Sequence, residues 1–235
     1  MSQLTGPTQT AGQALFTSSA TQQHVLGEQM VTPDGRKFRY AKAGELLVTG
    51  NLLQSQVEDT DSQNLAVAAA AIGATTVTTT STLTVTANEF SGGYLLVAIT
   101  PGIGDVYRIK SHPAATSAVL TLTLEDPIRV ALTTSSRVDL VASPYLNVIQ
   151  NPTTATGAPV GVAVYAIASG EYGWIQTGGV ACVLNDGGST VGTNVSASNG
   201  TAGAVEAAVT AQAAIGYAVT GITSTEAGAI YLTID

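Results

Sequence analysis

The chain has 235 residues, of which 45% are hydrophobic and only 10% charged, where a soluble domain averages roughly 25% charged. A mean hydropathy of +0.28 excludes disorder throughout, and a pI near 4.5 argues against a basic face for nucleic acid. The most apolar stretch, Leu65 to Val77, is broken by Gly73, Thr75 and Thr76 and falls short of the roughly 20 residues of a membrane helix.

Charge is unevenly placed. Eight bases and ten acids lie at or before Arg137, whereas Val138 onward holds six acids and no base, so the C-terminal part would be repelled by DNA. Cys182 is the single cysteine and can form no intrachain disulfide; its neighbours Val180, Ala181, Val183 and Leu184 predict a buried, inert thiol. The first residues, MSQLTGPTQTAGQ, have neither the basic nor the apolar region of a secretory signal, which points to a protein made in the cytosol or a virion component.

In chain order, residues 1–33 read as an extended N-terminal arm, rich in Gln, Thr, Ser, Ala and Gly and without sustained periodicity. Thr32-Pro33-Asp34-Gly35 is the signature of a tight turn. Residues 34–150 form a β-rich domain that opens on Arg36, Lys37, Phe38, Arg39, Tyr40, Ala41 and Lys42. This basic cluster reads either as a charged edge strand or as a contact with an acidic partner surface. A short helix is expected near 62–72, capped by Asp61 or Ser62 and ended by Gly73.

Beyond Ala74 a period of two takes over. Val77, Thr79, Ser81, Leu83 and Val85 alternate with threonines, Leu120, Leu122 and Leu124 alternate with Thr121, Thr123 and Glu125, and Val138, Leu140 and Ala142 repeat the pattern. Ser91-Gly92-Gly93, Thr100-Pro101-Gly102 and Asp126-Pro127 punctuate these strands. Residues 151–160 have the composition of a linker. Residues 161–235 read as a small C-terminal β-barrel of six strands, 161–169, 172–177, 180–184, 204–209, 215–220 and 229–234, the last burying Ile230, Leu232 and Ile234. The fold class is all-β: antiparallel sandwich or barrel regions, an extended arm and a small closing barrel of β-tulip type.

No reactive constellation is legible. His24 lies in the arm and His112 precedes a proline, no Gly-x-Ser-x-Gly elbow occurs, and no Cys or His pair has zinc spacing. Glu58-Asp59-Thr60-Asp61 lacks the glycine and terminal glutamate of a calcium loop and reads as solvated loop. Thr100 to Asp105 lacks the Gly-Lys-Ser/Thr ending of a phosphate loop and runs into a strand, so it reads as a turn. The tripeptides at Asn194 and Asn199 match a glycosylation acceptor without a secretory signal to accompany them. We therefore expect no catalytic residue, no cofactor and no metal.

One motif stands out, Gly170-Glu171-Tyr172-Gly173-Trp174-Ile175-Gln176-Thr177-Gly178-Gly179, which holds the only tryptophan. Alternation places Tyr172, Trp174 and Gln176 on one face, so Trp174 either anchors the core or joins Tyr172 in an exposed interface hot spot. The candidate interface residues are Arg36, Lys37, Phe38, Arg39, Tyr40, Tyr172 and Trp174.

With Gly192, Gly203, Ile215 to Ala218 and Ala229 to Ile234, this motif resembles the barrel domain of decoration (cement) proteins on the heads of tailed bacteriophages. Asn88 to Tyr94 and Tyr107 to Ser111 are similar to phage structural proteins, so the likeness spans residues 34–235. The resemblance implies a structural protein on the outer surface of the virion that braces the capsid against packaged DNA. Its partners would be the major capsid protein and further copies of itself, as dimers or trimers, with no nucleic acid and no membrane. The small uncharged side chains agree, since the cores of protein contacts are depleted in charge. The same composition also suits a head-fibre or tail-tip host-attachment protein.

Overall fold

The computed structural model describes residues 13–209 and 212–235. Strand accounts for 45% of it and helix for 1%, in antiparallel sheets that curl into one half-barrel and one nearly closed barrel. The chain is therefore all-β, as the period-two patterning requires. It divides into two compact units, residues 58–143 and the two flanking stretches 1–57 and 144–235.

In chain order the first unit begins with β1 (Gln29–Val31), β2 (Lys37–Lys42) and β3 (Leu52–Gln54). The second unit holds β4 (Leu65–Ala66), β5 (Thr76–Val85), β6 (Tyr94–Ile99), β7 (Val106–Ser111), β8 (Ala115–Leu124) and β9 (Arg137–Val141). The first unit then resumes with β10 (Ile149–Gln150), β11 (Pro159–Ala163), β12 (Tyr172–Leu184), β13 (Asn194–Ala197), β14 (Val205–Ala207), β15 (Gly216–Ala218) and β16 (Ala227–Thr233).

The second unit is a six-stranded sheet in the order β4-β9-β6-β7-β8-β5. Val67 bridges Thr79, bringing the two outer strands together and all but closing the barrel. Its core follows the alternation, with Val77, Leu83, Leu120, Leu122, Leu124, Val138 and Leu140 all inward. Thr79 is an inward hydroxyl. Its Oγ1 donates to Ser81 O at 3.0 Å and accepts from Leu120 N–H at 2.9 Å, satisfying the backbone where the β5 register shifts.

In the first unit the order is β10-β3-β11-β12-β16-β15-β13-β14, with β2 also on β12 and β1 on β2. One edge of β12 pairs first with β2, from Tyr172 to Gly178, and then with β16, from Gly178 to Leu184. At the hand-over two residues of β12 oppose one of β2, a β-bulge, and Gln176 Nε2 donates to the carbonyls of Gly178 at 3.0 Å and Val180 at 2.9 Å across it.

A recurring device starts the strands of both units. Leu47 bridges Ile167, Ala70 bridges Leu132 and Ser189 bridges Ile222, each through two reciprocal main-chain hydrogen bonds of 2.8 to 3.1 Å. A tight turn follows each partner and a strand begins five or six residues on. The residue three positions after the bridge has positive φ in five of the six copies: Gly50 (87°), Gly73 (88°), Gly170 (82°), Gly192 (79°) and Thr225 (69°). Glycine fits that conformation without a Cβ clash, so Thr225 is the strained copy.

Several expectations are corrected. The helix near 62–72 is a 3-10 turn at Thr60–Ser62 followed by β4, because the large apolar residues there, Leu65 and Val67, are spaced by two and both point inward. The boundary at 151–160 is not a division between domains. Asn151 N–H donates to Leu52 O at 2.9 Å and β11 pairs with β3, so strands before and after the second unit share one sheet. The stretch 34–150 is likewise split between the units. The predicted strands 172–177 and 180–184 are a single β12 running through Gly178 and Gly179, and β13 was missed among polar residues. Within the predicted arm, residues 1–12 lie outside the described part, residues 13–28 pack on the first unit, and the turn forms as read, Gly35 N–H donating to Thr32 O at 2.9 Å.

Replacing Thr225 with Gly removes the Cβ strain but adds backbone entropy to the unfolded chain, so a net gain of up to about 1 kcal/mol is expected. The urea midpoint of the variant should rise without a change in slope.

Candidate functional site

Sequence reading singled out the 170–179 motif and the basic cluster, and β2–β12 pairing brings them together: Trp174 lies opposite Tyr40 and Gln176 opposite Phe38. Trp174, Tyr40 and Phe38 are fully buried with Met30 beside them, and Leu15, Leu26, Val164 and Tyr172 pack around the cluster. Tyr40 and Trp174 meet edge to face at 5.1 Å, and Tyr172 stacks on Tyr40 at 6.2 Å. Trp174 is therefore a core anchor rather than part of an exposed hot spot with Tyr172, and the candidate interface residues Phe38 and Tyr40 are buried beside it. Residues 13–28 cover these rings, so no partner reaches them.

Gln13 ties down that cover, a role sequence reasoning missed. Tyr40 Oη donates to Gln13 Oε1 at 2.7 Å, Trp174 Nε1 donates to Gln13 O at 3.1 Å, and Gln13 Nε2 donates to Tyr172 O at 2.8 Å. Tyr40 Oη also accepts from Gln23 N–H at 3.1 Å, and burial pushes the phenol up from its ordinary value. His24 packs 5.0 Å from both the Tyr40 and Trp174 rings. Nothing in the composition of 13–28 marked one glutamine as the fastening.

The basic cluster is spent within the chain. Arg39 grips Asp235 with two parallel hydrogen bonds, Nε to Oδ2 at 2.6 Å and Nη2 to Oδ1 at 2.9 Å, while Lys37 Nζ donates to Asp235 O at 3.1 Å. The hydrogen bonds from Arg39 hold the Asp235 carboxyl below its ordinary value against the opposing effect of burial. Arg36 pairs with Asp34 at 2.8 Å and lies over the Phe38 ring at 5.6 Å, and Lys42 lies 5.8 Å above Tyr172. These bases fasten edges of the sheet.

The remaining candidates are structural as well. His112 Nε2 accepts from Phe90 N–H at 2.9 Å and Nδ1 lies 2.9 Å from Pro113 O, so both ring nitrogens serve backbone groups. Asp59 caps the 3-10 turn by accepting from Asp61 N–H at 3.0 Å. In the 100–105 turn, Asp105 takes Arg129 at 2.8 Å and the Tyr107 hydroxyl at 2.7 Å. Among the described residues, no three or more His, Cys, Asp or Glu side chains are grouped to hold a metal.

Cys182 corrects a further expectation, since it is exposed. Beyond the bulge, Ala181 and Val183 face the core while Val180 and Cys182 face outward. The outward row continues across the sheet, Val180 opposite Tyr231 and Tyr231 opposite Tyr217, with the two tyrosine rings stacked at 5.2 Å and 11°. Gly216 makes that stacking possible: a Cβ there would lie 2.1 Å from Tyr231 O, so only glycine lets β15 approach β16 this closely. The signal was present in the sequence, because inward Ile230 and Leu232 put Tyr231 on the opposite face.

Compared with known proteins, the chain matches no protein-family model, no curated protein and no solved structure. Among the described residues, no helix is long and apolar enough to cross a membrane.

Tyr40→Phe strips the hydroxyl from buried Gln13 and from the Gln23 N–H and is expected to cost about 1–3 kcal/mol. It should also speed proteolytic cleavage within residues 13–28 relative to the rest of the chain. Because the folded-state pKa of Asp235 is lowered, its contribution is complete above the unfolded value of about 3.9 and is lost as pH falls through the folded one. Asp235→Asn should therefore lower stability at neutral pH and lose less than the parent on acidification below about pH 4, read from urea midpoints.

Proposed function

We propose that the chain is a structural virion protein that binds the outer surface of a tailed-bacteriophage capsid and braces the shell against packaged DNA. The observation that carries this reading is an exterior poor in charge on both units. Threonines line the outer side of β5 and β8, and a row of tyrosine and valine lines β12, β16 and β15. Such surfaces desolvate at low cost and suit extensive contacts, whose cores are depleted in charge. The motif at 170–179 and the glycines and aromatics after it add their resemblance to decoration proteins.

In this role the partners are the major capsid protein and further copies of the chain, and the acidic stretch after Val138 faces away from DNA. Packed side chains fasten the subunit in place of disulfides, since the chain holds one cysteine.

Particles lacking the protein should lose resistance to heat and osmotic shock and regain it when purified protein is added back. Antibody labelling should decorate the whole head. Unchanged resistance, with label confined to fibres or the tail tip, would replace this reading with host attachment.

A further inference from the structure

The outward face of β12, β16 and β15 carries an uncharged row of valine and tyrosine. Val180, Tyr231 and Tyr217 are 47%, 39% and 40% exposed, and Val219, 38% exposed, extends the row below them beside Cys182 and Ala229. The apolar residues on the outside of the second unit are interrupted instead: Tyr94 stands between Val141 and Arg108, and Leu96 between Asp139 and Val106. An uninterrupted apolar row with polar ends has the character of a protein contact.

Its two ends differ in charge. All lysines and arginines of the first unit lie between Arg36 and Lys42, and Lys37 and Arg39 reach Asp235 just beyond the Thr233 end of β16. At the other end, exposed Glu226 precedes Ala227 and no base accompanies it. The face is thus uncharged in the middle, carries Lys37 and Arg39 gathered around Asp235 at one end, and carries Glu226 alone at the other.

We propose that this face is the contact between two copies of the chain, packed sheet on sheet about a two-fold axis that runs between them at right angles to the strands. That axis lays each strand antiparallel over its own copy, with Tyr231 near Tyr231 and the Lys37–Arg39 end over the Glu226 end. An axis along the strands would set each charged end against its own copy, which electrostatic complementarity disfavours. The proposal deepens the self-association in the functional reading and rests on it in that respect only; the shell plays no part in the contact.

The test uses the purified full chain with no particle present, so its outcome is independent of shell binding. Sedimentation equilibrium should show a monomer–dimer equilibrium. Tyr231→Glu and Val180→Glu, both outward and off the core, should each weaken it at least about thirtyfold, a hot-spot loss, with unchanged circular dichroism. Glu226→Lys should weaken it severalfold at low salt and little at high salt. Two sheets pack about 10 Å apart and Cys182 lies two residues, about 7 Å, along β12 from the Val180 row, so a bis-maleimide of about 18 Å span should join two chains through Cys182, and Cys182→Ser should abolish the product. A wild-type chain that stays monomeric at about 100 µM overturns the proposal. So does a dimer that survives both glutamate variants or fails to crosslink through Cys182, and an affinity indifferent to Glu226→Lys at low salt overturns the antiparallel arrangement.

Discussion

The reciprocal main-chain bridges carry the architecture of both units. Leu47 with Ile167, Ala70 with Leu132 and Ser189 with Ile222 each join segments distant in sequence, and each fixes the point from which a strand departs. The bridges ask almost nothing of side chains, so leucine, alanine, serine and isoleucine all serve. In five of the six copies the residue three positions on takes a left-handed backbone, which is why glycine recurs there. A chain with one cysteine and few ion pairs can hold long non-local pairings in this way, because a sheet pairs the backbone N–H and C=O groups it buries.

The residues that look most interactive in the sequence are those the fold consumes. Tyr40, Trp174 and Phe38 form a core, His112 serves two backbone groups, and the bases from Arg36 to Lys42 are spent on Asp34, Asp235 and aromatic rings. The outer sheet faces are left largely neutral, with hydroxyls along β5 and β8 and stacked tyrosines on β16 and β15. Recognition through such surfaces depends on shape and desolvation, and charge at their margins sets orientation and rate.

Strand existence was legible wherever one face alternates cleanly. Val77 to Val85, Leu120 to Leu124 and Ile230 to Leu232 needed no tertiary knowledge, since a period of two has one structural meaning. Connectivity was not legible, because pairing of β3 with β11 and of β2 with β12 joins the two ends of the chain across an intervening unit, and local composition holds no trace of it. The Pro- and Thr-rich stretch at 151–160 misled for that reason. The alanine run at 66–71 misled by propensity, which bridging at Val67 and Ala70 overrides. For the site, the alternation around Trp174 allowed a core anchor and an exposed hot spot alike, and Gln13 as its fastening was not readable at all, since a buried glutamine among exposed ones has no periodic signature.

The bulge at the middle of β12 gives one strand two opposite phases. Ile175, before it, and Ala181 and Val183, after it, are all odd-numbered yet enter different core clusters, because the extra residue turns the pleat over. The single residue at Thr177 thereby decides which half of the sequence is lining and which is skin. Shortening the strand there by one position would trade Cys182 and Val180 for Ala181 and Val183, converting the smooth outer row into core filling and the core filling into surface.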